Sequence, residues 1–320
     1  MNISSALGKA FAIFVFIGLA SCKKDRQQQY FSPLAGGYSI LVNKGNVLVS
    51  GFKSDNRQQI STQYWINGEI ANSSGFTELV EKQSGYRQSV DDQFRTVYTY
   101  KDLNGQLQNY RFDQVSLRTG GKLFYYKNDS IVEMKNDSLG TISSVAINNA
   151  QSYFAGTFGK IISSETGKEL SPVTPFVWDG NSSIILLPVP KAAVYFQGVS
   201  TIYLASANEF YVGGRFNVPM YWKNTDPVVL DERYGEVWQI TKSGSDVYAV
   251  GLVNKYNSNS TEHTACYWKN GQLHELEDRA QAYGIFVDGE DVYVTGATGN
   301  VPIDYKPCYW KNGVRVDLPM

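Results

Sequence analysis

The sequence predicts an all-β fold made of repeated four-stranded sheets, and three observations support this prediction. Aromatic residues make up 14% of the 320 residues and charged residues 18%, with 29 glycines, a composition that favours strands and tight turns over helices. A Tyr-Trp-Lys-Asn-Gly motif recurs, most clearly at 267–271 and 309–313. A strand–turn–strand segment ending in Gly, such as 285–296, precedes the motif.

The spacing of the motif predicts how the sheets are arranged. The last three steps between copies are 44, 46 and 42 residues, which is the length of one four-stranded blade. Four antiparallel strands repeated radially form a β-propeller, so we predict six four-stranded blades. The stretch 76–137 has room for a seventh blade, but the turn at 102–105 is interpreted as a hairpin inside one blade. The six copies are centred on Tyr64, Tyr125, Val177, Tyr221, Tyr267 and Tyr309.

Two other repeat architectures explain the pattern less well. A β-sandwich would not repeat its whole four-strand unit several times, and a helical solenoid needs a 3.6-residue period that is missing. We therefore predict a single β-propeller domain over 37–320.

The N-terminus has the organisation of an export signal. Lys9 precedes an uninterrupted apolar segment at 10–20, which is too short for a comfortable bilayer span and ends in small residues. We predict a signal peptide at 1–21 and a polar tether at 22–36. The tetrapeptide at 19–22 resembles the bacterial lipobox at all four positions, which implies cleavage before Cys22 and acylation of that residue, with palmitate among the attached chains. An ordinary signal peptide that happens to end in Cys is the alternative.

The start of the tether and the two repeats also resemble a group of known sequences. Cys22-Lys23-Lys24-Asp25, Tyr-Trp-Lys-Asn-Gly and Asp-Val-Tyr-Val-x-Gly are similar to those of uncharacterised lipoprotein β-propellers from Bacteroidetes. The resemblance implies a lipid-anchored protein of the outer membrane and cell envelope, but it implies no activity. The acidic run of the fuller surface-display signal is missing after Asp25, so the periplasmic and the surface face both stay open.

The repeated tryptophans have two interpretations. Exposed aromatic faces stack on sugar rings, but an element repeated in every blade usually serves packing. Both faces of a blade pack against neighbouring blades. We therefore predict that Trp65, Trp222, Trp268 and Trp310 are buried between blades.

The cysteines and histidines give no sign of a cofactor or metal site. Cys266 and Cys308 occupy the same register in adjacent blades, too far apart for a disulfide, and are predicted to be small buried side chains. His263 lies three residues before Cys266, so on a strand the two side chains point to opposite faces and are not expected to share a metal ion. We expect neither a metal nor a cofactor.

Charge and motif content favour a non-catalytic role without deciding it. The net charge of −1 gives no reason to expect a nucleic-acid partner. Acid pairs such as Asp231 and Glu232 lie near turns, where solvated carboxylates are the rule, and no nucleophile elbow, phosphate loop or zinc motif occurs.

The connections between blades are the candidate binding residues. They are rich in Tyr and Arg, which contribute large contact areas and directed hydrogen bonds, and in propellers such connections gather around one mouth of the central channel. The alternative is ordinary loop decoration. Three Arg around one opening would favour an anionic or polyhydroxylated partner. The predicted ligand-binding residues are Tyr86, Arg87, Tyr195, Arg233, Tyr234, Arg279 and Tyr283.

Three functions remain open at this point. The first is a non-catalytic envelope lipoprotein whose propeller binds a glycan, peptide or protein partner. The second is a hydrolase or lyase acting on polysaccharide, with carboxylates at the channel mouth. The third is a structural component of an outer-membrane complex. Fold alone decides among none of them.

Overall fold

The computed structural model confirms the predicted β-propeller of six blades. Six antiparallel sheets follow one another along the chain, and each sheet is built from consecutive strands. The described residues are 34–54, 60–81, 86–90, 96–101, 104–111, 124–134, 140–148, 151–158, 173–181, 183–189, 197–206, 208–255, 262–299 and 305–320. Cys22 and Tyr195 therefore lie outside the described residues. Within those ranges, no helical segment reaches the length and apolarity that crossing a membrane requires.

Five of the blades have four strands. Blade 1 contains β1 (Leu34–Asn43), β2 (Asn46–Ser54), β3 (Ile60–Ile66) and β4 (Glu69–Ala71). Blade 3 contains β10 (Gly140–Asn148), β11 (Gln151–Phe158), β12 (Thr174–Trp178) and β13 (Ile184–Leu186). Blade 4 contains β14 (Gln197–Ser206), β15 (Glu209–Phe216), β16 (Val218–Lys223) and β17 (Asp226–Val229). Blade 5 contains β18 (Gly235–Ser243), β19 (Asp246–Asn254), β20 (His263–Lys269) and β21 (Gln272–Asp278). Blade 6 contains β22 (Ala280–Asp288), β23 (Asp291–Thr298), β24 (Lys306–Lys311) and β25 (Val314–Asp317).

Blade 2 carries a fifth strand, and a helix precedes it. The helix α1 (Ser73–Glu81) leads from blade 1 toward this sheet. Strands β6 and β7 form the hairpin that was predicted around 102–105, and β5 adds an edge strand beside β6. Blade 2 contains β5 (Tyr86–Val90), β6 (Thr96–Lys101), β7 (Leu107–Arg111), β8 (Phe124–Lys127) and β9 (Ser130–Glu133).

The Asn of the repeated motif closes a hairpin and ties it to the neighbouring strand. Asn312 has a φ of 52°, a left-handed conformation that Asn tolerates well. Its Oδ1 accepts a hydrogen bond from the backbone N–H of Val292 at 2.8 Å, and its own N–H donates to the carbonyl of Val292 at 2.9 Å. The same pair of hydrogen bonds is made by Asn67, Asn128, Asn224 and Asn270.

The Lys of the motif connects the two repeated signatures. In blade 6, Nζ of Lys311 lies 2.8 Å from a carboxylate oxygen of Asp291 and 5.2 Å from the ring centroid of Tyr293. Asp291 and Tyr293 belong to the Asp-Val-Tyr-Val-x-Gly segment. An ion pair and a cation–π contact therefore hold the third strand of the blade against its second strand. Lys269 repeats both contacts in blade 5.

The Trp of the motif seals the interface with the preceding blade, as predicted. Trp65, Trp222 and Trp268 are 0% exposed and Trp310 is 1% exposed. Their packing partners include residues of the blade before, and Nε1 of Trp222 donates to the carbonyl of Pro188 at 2.7 Å. The predicted burial of Cys266 and Cys308 is also confirmed, and both thiols are free.

Candidate binding site in the central channel

The first strands of the blades lie around the propeller axis. Strand β14 contacts β10 and β18, and β22 contacts β18 and β1. These strands are the innermost of their sheets, because each blade runs outward in sequence order. Side chains that leave this ring of strands toward the axis line the central channel.

Each described first strand outside blade 2 contains a one-residue bulge at the same register position. The pairing with the second strand skips one residue in β1, β10, β14, β18 and β22. A bulge re-aims the extra side chain and is common beside functional sites. All five extra residues are half-buried, and each follows a buried residue. We call them the bulge ring: Tyr38, Ser143, Ser200, Trp238 and Tyr283.

The last Gly of the Asp-Val-Tyr-Val-x-Gly segment makes the bulge sterically allowed. A Cβ at Gly251 would lie 1.8 Å from the carbonyl oxygen of Glu236, and a Cβ at Gly296 would lie 1.9 Å from that of Gln281. No larger residue fits beside a carbonyl at that distance. The repeated Gly therefore allows the bulge on the facing strand. The bulge-ring residue lies two positions after the residue whose carbonyl the Gly faces.

Three aromatic residues of the bulge ring, from three different blades, contact one another. Tyr38 and Tyr283 stack with centroids 5.8 Å apart and planes inclined by 23°. Trp238 meets Tyr283 edge-on, with centroids 5.8 Å apart and an angle of 62°. The hydroxyl of Tyr283 donates to Oε1 of Gln281 at 2.6 Å, and burial raises the pKa of Tyr283, so its hydroxyl stays neutral. Nε1 of Trp238 is buried and has no hydrogen-bond partner within the described part of the chain.

A buried carboxylate lies next to the aromatic group. Oε1 of Glu236 accepts a hydrogen bond from Oγ of Ser200 at 3.0 Å, and Oε2 lies 3.1 Å from Nη1 of Arg215. The side chain of Glu236 is 11% exposed and that of Arg215 is 32% exposed. Glu236 lies two residues before Trp238 on β18. The set is called the channel-mouth cluster: Tyr38, Ser200, Arg215, Glu236, Trp238, Gln281 and Tyr283.

The cluster lies toward the end of the channel where the chain enters each blade. Trp238 and Tyr283 are the fourth residues of β18 and β22. The connections from the outermost strand of one blade to the innermost strand of the next arrive at this end. Ligands that enter from this side would reach the cluster before the turns at the opposite end.

Arg233, which was predicted to bind a ligand, is directed toward the outside of blade 5. Its guanidinium lies 2.9 Å from Asp231 and 3.0 Å from Glu275 on the outermost strand β21. Burial raises the pKa of Asp231, but the hydrogen bonds from Arg233 outweigh it and hold that pKa below its ordinary value. Arg233 is therefore engaged in an ion-pair network that its predicted role did not include.

The other predicted residues are distributed over several places. Tyr283 belongs to the channel-mouth cluster. Arg279 is exposed in the turn between β21 and β22 and has a φ of 56°. Tyr234 lies just before β18, and its carbonyl accepts a hydrogen bond from the N–H of Asn254. Tyr86 and Arg87 open the edge strand β5 instead of lying in a connection. A ligand-binding role for these residues stays a prediction.

Sequence reasoning missed most of the channel-mouth cluster, although a signal for it was present. The Gly that ends each Asp-Val-Tyr-Val-x-Gly segment marks a bulge on the facing strand. Counting back along that strand leads to Tyr38, Trp238 and Tyr283, which are aromatic where the other copies have Ser. Glu236 and Arg215 leave no comparable mark, because their pairing depends on the contact between blades 4 and 5.

Comparison with known proteins identifies neither a family nor a function. No protein-family profile and no curated protein matches the sequence. The β-propeller domain of the trilobed protease from Pyrococcus furiosus is 13% identical with a TM-score of 0.41, and the match covers 90% of this chain and 98% of that domain. An acylaminoacyl peptidase from Pyrococcus horikoshii is 12% identical with a TM-score of 0.40, covering 90% and 53%. The hemagglutinin-neuraminidase of parainfluenza virus 5 is 11% identical with a TM-score of 0.34, covering 85% and 81%.

Proposed function

We propose that this chain is a non-catalytic binding protein of the bacterial cell envelope, whose channel-mouth cluster holds a glycan, a peptide or a partner protein. One observation carries the proposal. The packing and turn residues of the blades repeat, whereas the bulge ring is Tyr, Ser, Ser, Trp and Tyr at equivalent positions. Variation at one position of the innermost strands, against a repeated scaffold, is expected where a site serves recognition and not packing.

The chemistry of the cluster supports the same proposal. Small-molecule sites are concave and mostly apolar, with a few polar groups that fix orientation. The channel-mouth cluster combines three aromatic rings with one carboxylate and one guanidinium, and the carboxylate is oriented by Ser200 and Arg215. Polar groups held this way lose little freedom when a ligand binds.

A ligand screen tests the binding proposal. Thermal unfolding of the purified domain is followed with neutral saccharides, acidic saccharides and peptides, because a ligand that binds only the folded state raises its stability. The proposal expects stabilisation by members of one class and its loss in Tyr283→Ala. Turnover of a saccharide would instead establish the hydrolase or lyase function. If every class fails and no envelope protein binds the domain, the proposal is contradicted. Association with an envelope protein that Tyr283→Ala does not weaken would favour the structural role.

Anchoring is the second part of the proposal, and it depends on Cys22. Acylation at this residue would tether the propeller to the membrane without spanning it, because several acyl chains anchor firmly. We expect Cys22→Ser to abolish labelling by radioactive palmitate and to release the protein from the membrane fraction. Cys308→Ser is the matched control, since its thiol is buried between blades and should not affect labelling. A parent protein that takes up no palmitate would overturn the anchoring proposal.

A further inference from the structure

We infer that the ligand of the channel-mouth cluster is a neutral saccharide, with one sugar ring stacked on the aromatic residues Tyr38, Tyr283 and Trp238. This inference rests on the proposed function and narrows it to one ligand class. Three features of the cluster lead to it: the shape of the aromatic surface, an unpaired donor and the balance of charge.

The aromatic residues form a shelf with a wall. Tyr38 and Tyr283 are stacked with their planes inclined by only 23°, and both side chains are half-buried, so the pair offers a flat aromatic face where blades 1 and 6 meet. Trp238 stands at 62° to Tyr283 and borders that surface on the side of blade 5. The C–H face of a pyranose ring is flat and apolar, and it fits such a surface, whereas an extended peptide offers no equally flat face of that size.

The indole N–H of Trp238 needs an acceptor. It is buried, and no described residue accepts its hydrogen bond. Nearly all buried donors in folded proteins have a partner, so water or a ligand oxygen is expected there. A sugar hydroxyl can accept from Trp238 and donate its own proton to a neighbouring oxygen, such as the carboxylate of Glu236. An aliphatic or aromatic ligand could not satisfy this donor.

The charge balance favours a neutral ligand. Glu236 and Arg215 are 3.1 Å apart and compensate each other, and the hydroxyl of Tyr283 is neutral. An anionic ligand would be attracted by Arg215 but repelled by Glu236. A quaternary ammonium ion on the aromatic shelf would be attracted by Glu236 but repelled by Arg215. A neutral polyhydroxylated ligand uses both groups as hydrogen-bonding partners without separating the pair. Its affinity should therefore depend little on salt.

The tryptophan content of the chain provides a direct probe. The chain has six Trp, and five of them are at most 5% exposed, whereas Trp238 is half-buried. A ligand in the cluster should change the fluorescence of Trp238 alone. The parent protein is titrated with cellobiose, maltose, mannobiose and diacetylchitobiose as neutral probes. Trigalacturonate, choline and trialanine represent the acidic, cationic and peptide classes.

We expect a saturable fluorescence change with at least one neutral disaccharide and the same Kd at low and high salt. Calorimetry on the variants then locates the site. Tyr38→Ala should abolish binding, because half of the shelf is lost. Trp238→Phe keeps a ring but removes the donor, so the Kd should rise about tenfold. Tyr267→Ala is the control, because this half-buried tyrosine of blade 5 stacks on His274, 4.7 Å away, outside the cluster, and its loss should leave the Kd unchanged.

The outcomes separate the inference from the proposed function. Binding of choline, trigalacturonate or trialanine, with loss in Tyr38→Ala, would overturn the saccharide inference and leave the channel-mouth site in place. Saccharide binding that Tyr38→Ala and Trp238→Phe do not weaken would show that the sugar binds elsewhere, which also overturns the inference. If no probe of any class changes the fluorescence or the calorimetric signal, the inference fails, and the proposed function fails with it unless an envelope protein binds the domain and Tyr283→Ala abolishes that binding.

Discussion

The interface between blades 5 and 6 differs from the one between blades 1 and 2. Between blades 5 and 6, Trp310 is buried against blade 5 and its Nε1 lies 3.3 Å from Oε2 of Glu277. Blade 2 has Tyr126 at the equivalent position, and this side chain is half-buried. Beside blade 1, α1 covers the sheet instead, with Phe76 packed 4.6 Å from Tyr64.

The difference separates two parts of the repeated motif. The Trp belongs to the interface between blades, and where it is missing another element fills the space. The Asn belongs to the hairpin inside one blade, since Asn128 of blade 2 makes the same hydrogen bonds as Asn312 of blade 6. One half of the motif therefore changes with the neighbouring blade, and the other half does not.

Removing the interface Trp should have the largest effect on stability. Trp310→Ala empties a fully buried aromatic site, so we expect a loss of about 3–5 kcal/mol in the free energy of unfolding. Tyr126→Ala is the matched control in blade 2 and should lose much less, because the side chain is already half-exposed. Urea denaturation followed by circular dichroism measures both. Equal losses would show that the blade 2 position carries the same interface.

Removing the side chain of Phe76, at the centre of the contact between α1 and blade 1, should destabilise this region alone. Phe76 is 2% exposed and lies between α1 and blade 1, so Phe76→Ala should lower the stability of this region by roughly 3 kcal/mol. Hydrogen exchange should accelerate in α1 and β3 while β23 and β24 stay protected, because the main contacts of the helix are with β3 and β5. Uniform acceleration through all blades would mean that the helix contact is part of one global unit.

The sequence was sufficient for the blades because their signals are local. The spacing of the motif, the Asn-Gly turns and the alternating strands each depend on residues close in the chain, and they predicted six blades and the buried Trp268 and Trp310. The contact of α1 with blade 1 was not predicted, because it occurs where blade 2 lacks the repeated Trp and the repeat therefore gives no signal. The ion pair of Glu236 with Arg215 was also missed, because it forms between blades.

Adding a side chain at the Gly opposite a bulge should change the arrangement of the bulge-ring residues more than the overall fold. A Cβ at Gly296 would lie 1.9 Å from the carbonyl oxygen of Gln281, so Gly296→Ala should cost about 1–3 kcal/mol and shift the bulge that carries Tyr283. Gly198→Ala is the control, because an added Cβ there meets no atom within 4 Å and the φ of Gly198 lies outside the left-handed region. The near-ultraviolet circular dichroism of stacked aromatics should change in the first variant. An unchanged spectrum would contradict the role given to the repeated Gly.

The smallest effect is expected from the ion pair outside the channel, and it should depend on pH. Arg233 lowers the pKa of Asp231 in the folded state, so the pair stabilises the protein above the ordinary carboxylate value of about 4 and loses that effect as the pH falls through the lowered pKa. Arg233→Ala should therefore cost about 1 kcal/mol at pH near 7 and progressively less at acidic pH. Urea denaturation of the parent and the variant at neutral and at acidic pH measures the difference. A cost that grows on acidification would contradict this assignment.

The central claim of the account is that the bulge ring exposes Trp238 to the channel while the repeated tryptophans are sealed between blades. Acrylamide quenching of tryptophan fluorescence in the unliganded protein tests it most directly, in the parent and in Trp238→Phe. We predict that the parent contains one accessible emitting population and that this population disappears in the variant, leaving only weakly quenched emission. Quenching that is the same in both proteins would contradict the claim.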